Sequence, residues 1–521
     1  MSAGQVKFLT RLLVATLALS AGCASLPKDF ERKSSHALTD TSQTRLGRVV
    51  ADLRAQHPGE SGFLPLGQGL DAFYARILLV QSADKTLDLQ YYIWRDDLTG
   101  RVLYNQLLAA ADRGVRVRIL LDDLDTAGKD EMLAAIDAHP NVEIRLFNPF
   151  ANRDARVGDF ITDTRRVNRR MHNKSLTADN QASILGGRNI GDEYFDATLD
   201  VGFADMDTLC IGPVVPEVSA AFDLYWNSRW VYPLRAFAGD GYADAQQLAA
   251  YRKASDEFLR TAESSPYADA VRAIEFDSLQ QLADMRFSWG PWKLVYDHPG
   301  KVDANEVTRE THLAPALKDV MDDTRSELII VSPYFVPGEA FTDYLVGLEQ
   351  RGVRVRIMTN SLAANDVPLV HAGYMRYRKE LVRGGVELYE FKPLASSATA
   401  TVDGRKRWRG SSRASLHGKF IGFDQRYLFV GSFNVDGRSV ALNTELGVFL
   451  ESPEYARNLA SDFDQRAMVL GYRVLLTEQG DLQWVTLEDG EEVRFDAEPE
   501  TGYWTRFSTR VMSIIVPESQ L

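Results

Sequence analysis

The chain has 521 residues, 45% hydrophobic and 25% charged, which excludes wholesale disorder, a collagen-like fibre and a coiled-coil rod. Its net charge of −13 argues against a general nucleic-acid binder but leaves room for a local basic site. Two cysteines, Cys23 and Cys210, exclude a disulfide scaffold and a cysteine-rich zinc centre, and eight histidines leave few candidates for acid–base chemistry.

Residues 1–22 read as a secretory signal, with Lys7 and Arg11 ahead of the apolar run Leu12 to Gly22. The uncharged stretch Leu12 to Pro27 is shorter than the span of about 20 residues that a membrane helix needs. Leu19-Ser20-Ala21-Gly22-Cys23 resembles a bacterial lipobox, with Ser20 in place of the usual aliphatic residue. That resemblance implies cleavage before Cys23 and lipid on its sulfur. It places the mature chain in the bacterial envelope, its globular part in the periplasm, and Ala24 favours the outer membrane. An uncleaved anchor and a simple secretory signal are the other readings. Residues 23–60 form a tether and lead-in.

Residues 61–215 and 311–470 read as two copies of one α/β unit. Arg113-Gly114-Val115-Arg116-Val117-Arg118-Ile119 recurs as Arg351-Gly352-Val353-Arg354-Val355-Arg356-Ile357. Each copy runs strand, helix (102–112; 340–350), β-branched strand, helix (129–138; 369–383), strand. Short apolar strands alternating with helices indicate sheets with helices packed on their faces. Residues 216–310, without a repeat partner, read as an inserted helical middle carrying Trp226, Trp230, Trp289 and Trp292, expected in the core. Residues 471–521 read as a β-rich extension on the second half, ending in the apolar segment Met512 to Pro517.

The duplication is sharpest at two segments. His172, Lys174, Asp179, Gly186, Gly187 and Asn189 match His417, Lys419, Asp424, Gly431, Ser432 and Asn434, every pair offset by 245 residues. In a strand, alternate residues share a face, so each His and Lys point the same way. The aspartates sit where each strand should turn, and the glycines where the backbone must approach something closely. Two such halves around a pseudo-twofold axis would bring imidazoles, ammonium groups and amides to one spot. Such a set suits a phosphodiester: lysines for the phosphate oxygens, Asn189, Ser432 and Asn434 as hydrogen-bond donors, one neutral histidine to attack phosphorus and one protonated histidine to serve the leaving alcohol. Arginine-rich segments precede both motifs, Arg165 to Arg170 and Arg405 to Arg413, and fit an anionic ligand.

The paired H-x-K-x4-D pattern resembles the phospholipase D superfamily, over nearly the whole chain after the signal. The resemblance implies two α/β sandwich halves sharing one active site at their interface, and no metal or other cofactor. It makes His172 the nucleophile and His417 the acid and base. Ser439-x-x-x-Asn443-x-Glu445 looks like the family element that orients a catalytic imidazole, and Asp200 stands 245 residues before Glu445 in the first half. Asp179 and Asp424 are expected to hold the turns. Arg169-Arg170-Met171-His172-Asn173-Lys174 and Gly186-Gly187-Arg188-Asn189-Ile190-Gly191-Asp192 look like bacterial cardiolipin synthases of the C type. What this implies is phosphatidyl transfer to phosphatidylglycerol, with phosphatidylethanolamine as donor, at a membrane surface and without nucleic acid. A phospholipase D releasing phosphatidic acid is the nearest rival. A secreted nuclease and a non-catalytic lipid-binding protein are more distant.

Overall fold

A computed structural model describes residues 25–197, 202–237, 242–262, 278–393 and 414–515. Two large sheets carry the chain. The first contains β1 (Ser61–Leu66), β2 (Thr86–Tyr91), β3 (Arg116–Asp122), β4 (Val142–Phe147), β5 (Ser175–Ala178), β6 (Ala182–Gly186), β8 (Asp207–Ile211), β9 (Val231–Pro233) and β10 (Ser288–Gly290), in the order β10-β1-β8-β6-β5-β2-β3-β4-β9. The short strand β7 (Gly202–Ala204) stands apart from it. The second contains β11 (Trp292–Tyr296), β12 (Glu327–Val331), β13 (Arg354–Asn360), β14 (Glu387–Phe391), β16 (Phe420–Phe423), β17 (Tyr427–Gly431), β18 (Leu446–Glu451), β19 (Gly471–Leu476), β20 (Leu482–Glu488) and β21 (Glu491–Phe495), in the order β11-β18-β17-β16-β12-β13-β14-β19-β20-β21.

The inner six strands of each sheet are the repeat. β2, β3 and β4 run parallel, as do β12, β13 and β14, and the remaining three in each half are antiparallel. Parallel neighbours need crossover helices, and Leu98–Asp112, Asp130–Asp137 and Gly338–Gln350 supply them. The fourth crossover is broken into Pro368–Tyr374 and Arg378–Arg383, where the sequence pattern reads as one helix.

Each half has its own apolar core. A third cluster, with Phe63, Leu185, Cys210 and Val218 against Leu428, Val430, Val448 and Leu450, joins them. Cys210 is a buried thiol within it, its pKa pushed up to about 12 by burial. The middle region is less separate than its sequence indicates. The helix Val214–Trp226 packs on the first half, Ser288–Gly290 edges the first sheet, and Trp292–Tyr296 edges the second across the single residue Pro291. These edge strands are short and lack alternation, so they carry no periodic signal. Trp226 is fully buried between Arg118 and Arg145, whereas Trp230, Trp289 and Trp292 are half-buried. Met512 to Ile515 of the final apolar segment end a helix, Tyr503–Ile515, and the rest of that segment lies outside the described residues.

Candidate active site

The two motifs meet because each crosses into the other half. Leu416 ends β15 (Ala414–Leu416), which pairs in parallel with β7 of the first half, and Met171 bridges Thr444 of the second. The backbone N–H of His172 donates to Thr444 O and that of His417 to Ala204 O, both at 2.8 Å. His172, Lys174, His417 and Lys419 are thereby gathered in one interior site and buried.

Each imidazole is held by a carboxylate from the opposite half. His172 Nδ1 lies 2.8 Å from Glu445 Oε2, and His417 Nδ1 lies 2.5 Å from Asp205 Oδ2. A neutral imidazole donating from Nδ1 carries its lone pair on Nε2. Glu445 is fixed in turn: Ser432 Oγ donates to Oε2 at 2.5 Å, Ser439 Oγ to Oε1 at 2.8 Å, and its own N–H donates to Asp297 Oδ2 at 2.7 Å. Asp297 is buried with Lys301, whose ammonium donates to it at 2.9 Å and to Ser439 O at 2.8 Å. Asp205 Oδ1 accepts from Met206 N at 2.7 Å.

Asp205 replaces Asp200 in this role, and Asp200 itself lies outside the described residues. The reason is a length difference. Gly186 and Gly431 match at an offset of 245, but across the sheets Gly186 pairs with Asp207 and Gly431 with Gly447, an offset of 240. The connection before β8 is five residues longer than that before β18, so the counterpart of Glu445 slides from 200 to 205. Gly187, the counterpart of Ser432, leaves room for this: a Cβ there would collide with the Asp205 carboxylate.

The lysines differ from simple phosphate clamps only in being partly occupied. Lys174 Nζ donates to His172 O at 2.6 Å, and Lys419 Nζ to His417 O at 2.5 Å. Burial lowers the pKa of both, most strongly for Lys174. The imidazoles are pushed down as well. Burial and the neighbouring lysines lower His172 well below its usual value; His417 is lowered by the same causes, with Asp205 pulling it back up. Burial pushes Glu445 up to about 7, whereas His417 and Lys419 overcome burial and hold Asp205 at about 2. The pairs match in geometry and differ electrically.

Tyr92 meets the His172 ring edge-on at 5.0 Å between centroids, and Tyr194 meets His417 at 5.2 Å. Asn189 is held between Ile93 N, which donates to its Oδ1 at 3.2 Å, and Tyr194 Oη, which accepts from its Nδ2 at 2.9 Å. Asn434 is buried, and its Oδ1 has no hydrogen-bond partner among the described residues. Ser432, expected to donate to a phosphate, gives its hydroxyl proton to Glu445 Oε2 instead. Asp179 and Asp424 sit at positive φ, 50° and 52°, in the turns after the motif strands. Asp179 accepts from the N–H groups of Asp84, Lys85 and Thr86, and Asp424 from those of Arg325, Ser326 and Glu327.

The first arginine segment is structural, another departure from expectation. Arg166 pairs with Asp163, Arg169 donates to Lys301 O and Ala304 O, Arg170 pairs with buried Asp122, and Arg165 bonds Asn305. The second segment, Arg405 to Arg413, and Cys23 lie outside the described residues. Asp205, Asp297, Lys301 and the aromatic pair lie outside the 245-residue repeat match and join the site only through folding. Strand register, the one signal that reveals Asp205, needs the sheet.

A family profile described as "Cardiolipin synthase, PLD-like domain" matches residues 77–226 and 317–467. The chain is 42% identical over 482 residues to cardiolipin synthase C of Escherichia coli K12, covering 91% of this chain and 99% of that protein. It is 31% identical over 506 residues to an uncharacterized protein of Helicobacter pylori, covering 96% and 97%. Among solved structures, a phosphatidylserine synthase of Haemophilus influenzae Rd KW20 superposes with a TM-score of 0.55 at 14% identity, covering 91% of this chain and 96% of that one. This last likeness speaks for the fold alone.

Proposed function

The chain belongs to the cardiolipin synthase, phospholipase D-like family, and on that premise we propose that it is a phosphatidyltransferase making cardiolipin. The observation that carries the lipid reading is the 42% identity over 91% of the chain to the E. coli cardiolipin synthase C. The chemistry rests on the two crossed imidazole–carboxylate pairs.

His172 is the nucleophile. Its charged form is the more strongly disfavoured of the two imidazoles, and its Nδ1–H donates to Glu445 Oε2, so Nε2 offers its lone pair. Nε2 attacks the phosphorus of a donor phospholipid, the P–N bond forms, and the bond from phosphorus to the headgroup oxygen breaks. His417, kept chargeable by Asp205, gives its Nε2 proton to the departing alcohol. A hydroxyl of phosphatidylglycerol then gives its proton to His417 Nε2 and attacks phosphorus, and the P–N bond breaks. Lys174 and Lys419 balance the charge on the phosphoryl oxygens in a buried setting, where a fixed cation acts most strongly. Phosphatidylethanolamine is the proposed donor. The proposed location is the bacterial envelope, with lipid on Cys23.

The test is turnover of labelled phosphatidylglycerol, with and without phosphatidylethanolamine. Labelled cardiolipin is the expected product. Phosphatidic acid alone would identify a hydrolase and remove the transferase reading.

A further inference from the structure

The helix Tyr503–Ile515 is built inside out. At 100° per residue, Tyr503, Trp504, Phe507, Val511, Ile514 and Ile515 fall within an arc of about 120°. A surface helix ordinarily turns such a stripe towards the core. Here the stripe faces solvent, with Trp504 76% and Ile514 80% exposed, while Thr509 on the opposite face is fully buried. The inward polar groups are satisfied: Thr509 Oγ1 donates to Thr505 O at 2.8 Å, Arg506 Nη1 to Thr501 O at 2.6 Å, and Arg376 Nε to Ser513 O at 2.6 Å. The bond from Arg376 ties the polar side of the helix to the second half, and the apolar side is left uncovered among the described residues. It rests on the helix Pro368–Tyr374, which follows the loop whose Asp366 accepts from Tyr334 Oη.

Among the described residues, the first half carries a second largely uncovered apolar face. In the helix Arg156–Thr162, Val157, Phe160 and Ile161 stand at i, i+3 and i+4, with Val157 74% and Ile161 79% exposed. This helix lies in the connection between β4 and the motif residue His172.

We propose that these two faces, one from each half, seat the enzyme on an anionic bilayer. Two features favour lipid over another occupant. The stripe contains Tyr503 and Trp504, the side chains suited to the boundary between headgroups and acyl chains. The helix Tyr503–Ile515 has two arginines and no carboxylate in a chain of net charge −13, and Arg510 borders the stripe, where its stem can lie along acyl chains and its guanidinium reach phosphates. The proposal also rests on the reading that the substrate is a phospholipid, which must be drawn from such a surface.

The experiment uses the full chain, with vesicles of brominated or ordinary phosphatidylglycerol mixed with phosphatidylethanolamine, and monomeric dihexanoyl phosphatidylglycerol as a dispersed substrate. Two variants, Trp504→Ser/Phe507→Ser/Ile514→Ser and Val157→Ser/Ile161→Ser, alter only solvent-facing side chains. Tryptophan emission of the unmodified protein should be quenched by the brominated lipid, and the Trp504 variant should lose that quenching. Each variant should lose about tenfold or more of vesicle turnover, with turnover of the dispersed lipid unchanged. Equal quenching and equal vesicle turnover in the variants overturn the proposal. So does a concentration-dependent dimer that the substitutions abolish while quenching persists, since the stripe would then face a second copy. Quenching needs no catalysis, so it decides docking even if no lipid is turned over and the functional reading fails.

Discussion

Glu445 of the second half holds His172 of the first at 2.8 Å, and Asp205 of the first half holds His417 of the second at 2.5 Å. Neither motif imidazole takes its carboxylate from its own half. The catalytic unit is the interface, which explains why an apolar cluster spans both halves beneath it. Asp205→Asn should lower kcat by about 10²–10⁴ by losing the Nδ1 acceptor that sets the tautomer and supports a charged His417. Asp200→Asn should leave kcat unchanged. Steady-state rates of the two variants decide between the positions.

The two carboxylates should respond to pH in opposite senses. Glu445 is raised to about 7 from an ordinary 4.5, so between those values the folded protein keeps a proton that the unfolded chain has lost. Its contribution to stability is full below 4.5 and is lost as pH rises to about 7, with a slope of up to about 1.4 kcal/mol per pH unit. Asp205 is lowered to about 2 from 3.8, so its contribution is present above 3.8 and is lost as pH falls towards 2. Denaturant unfolding across pH 4.5–7 should show a flatter profile for Glu445→Gln than for the unmodified protein. An unchanged profile would rule out the raised carboxyl.

Asp179 and Asp424 belong to the motif yet act on the turns. Asp179 is fully buried and holds three backbone N–H groups, so Asp179→Ala should cost about 2–4 kcal/mol through donors left unpaired away from water. Asp424→Ala should cost less, because Asp424 is half-buried and its three donors can turn to water. Thermal melts of the two variants, compared directly, check the order.

The exact repeat spacing made the motif histidines, lysines and aspartates legible, because one strand–turn–strand geometry demands one spacing. The repeated Arg-Gly-Val-Arg-Val-Arg-Ile likewise marked the parallel strands β3 and β13. Asp205 was hidden because constant offset fails across a connection of unequal length, and only hydrogen-bond register recovers it. Asp297 and Lys301 were hidden because they come from the middle region, which has no repeat partner, and meet Glu445 only through folding. Ser432 was misread because a hydroxyl beside a phosphate site looks the same in sequence whether it faces the substrate or a neighbouring carboxylate. The arginines before the first motif look like an anion site until their carboxylate and carbonyl partners are seen.

Turnover through His172 requires a covalent phosphohistidine that His417 helps to release. Its most direct test is to incubate His417→Ala and His172→Ala with acyl-labelled phosphatidylglycerol and phosphatidylethanolamine, quench, digest and locate the label by mass spectrometry. A phosphatidyl adduct is expected on the peptide containing His172 in His417→Ala, and no adduct in His172→Ala. An adduct on His417 in His172→Ala, with none in His417→Ala, would contradict it.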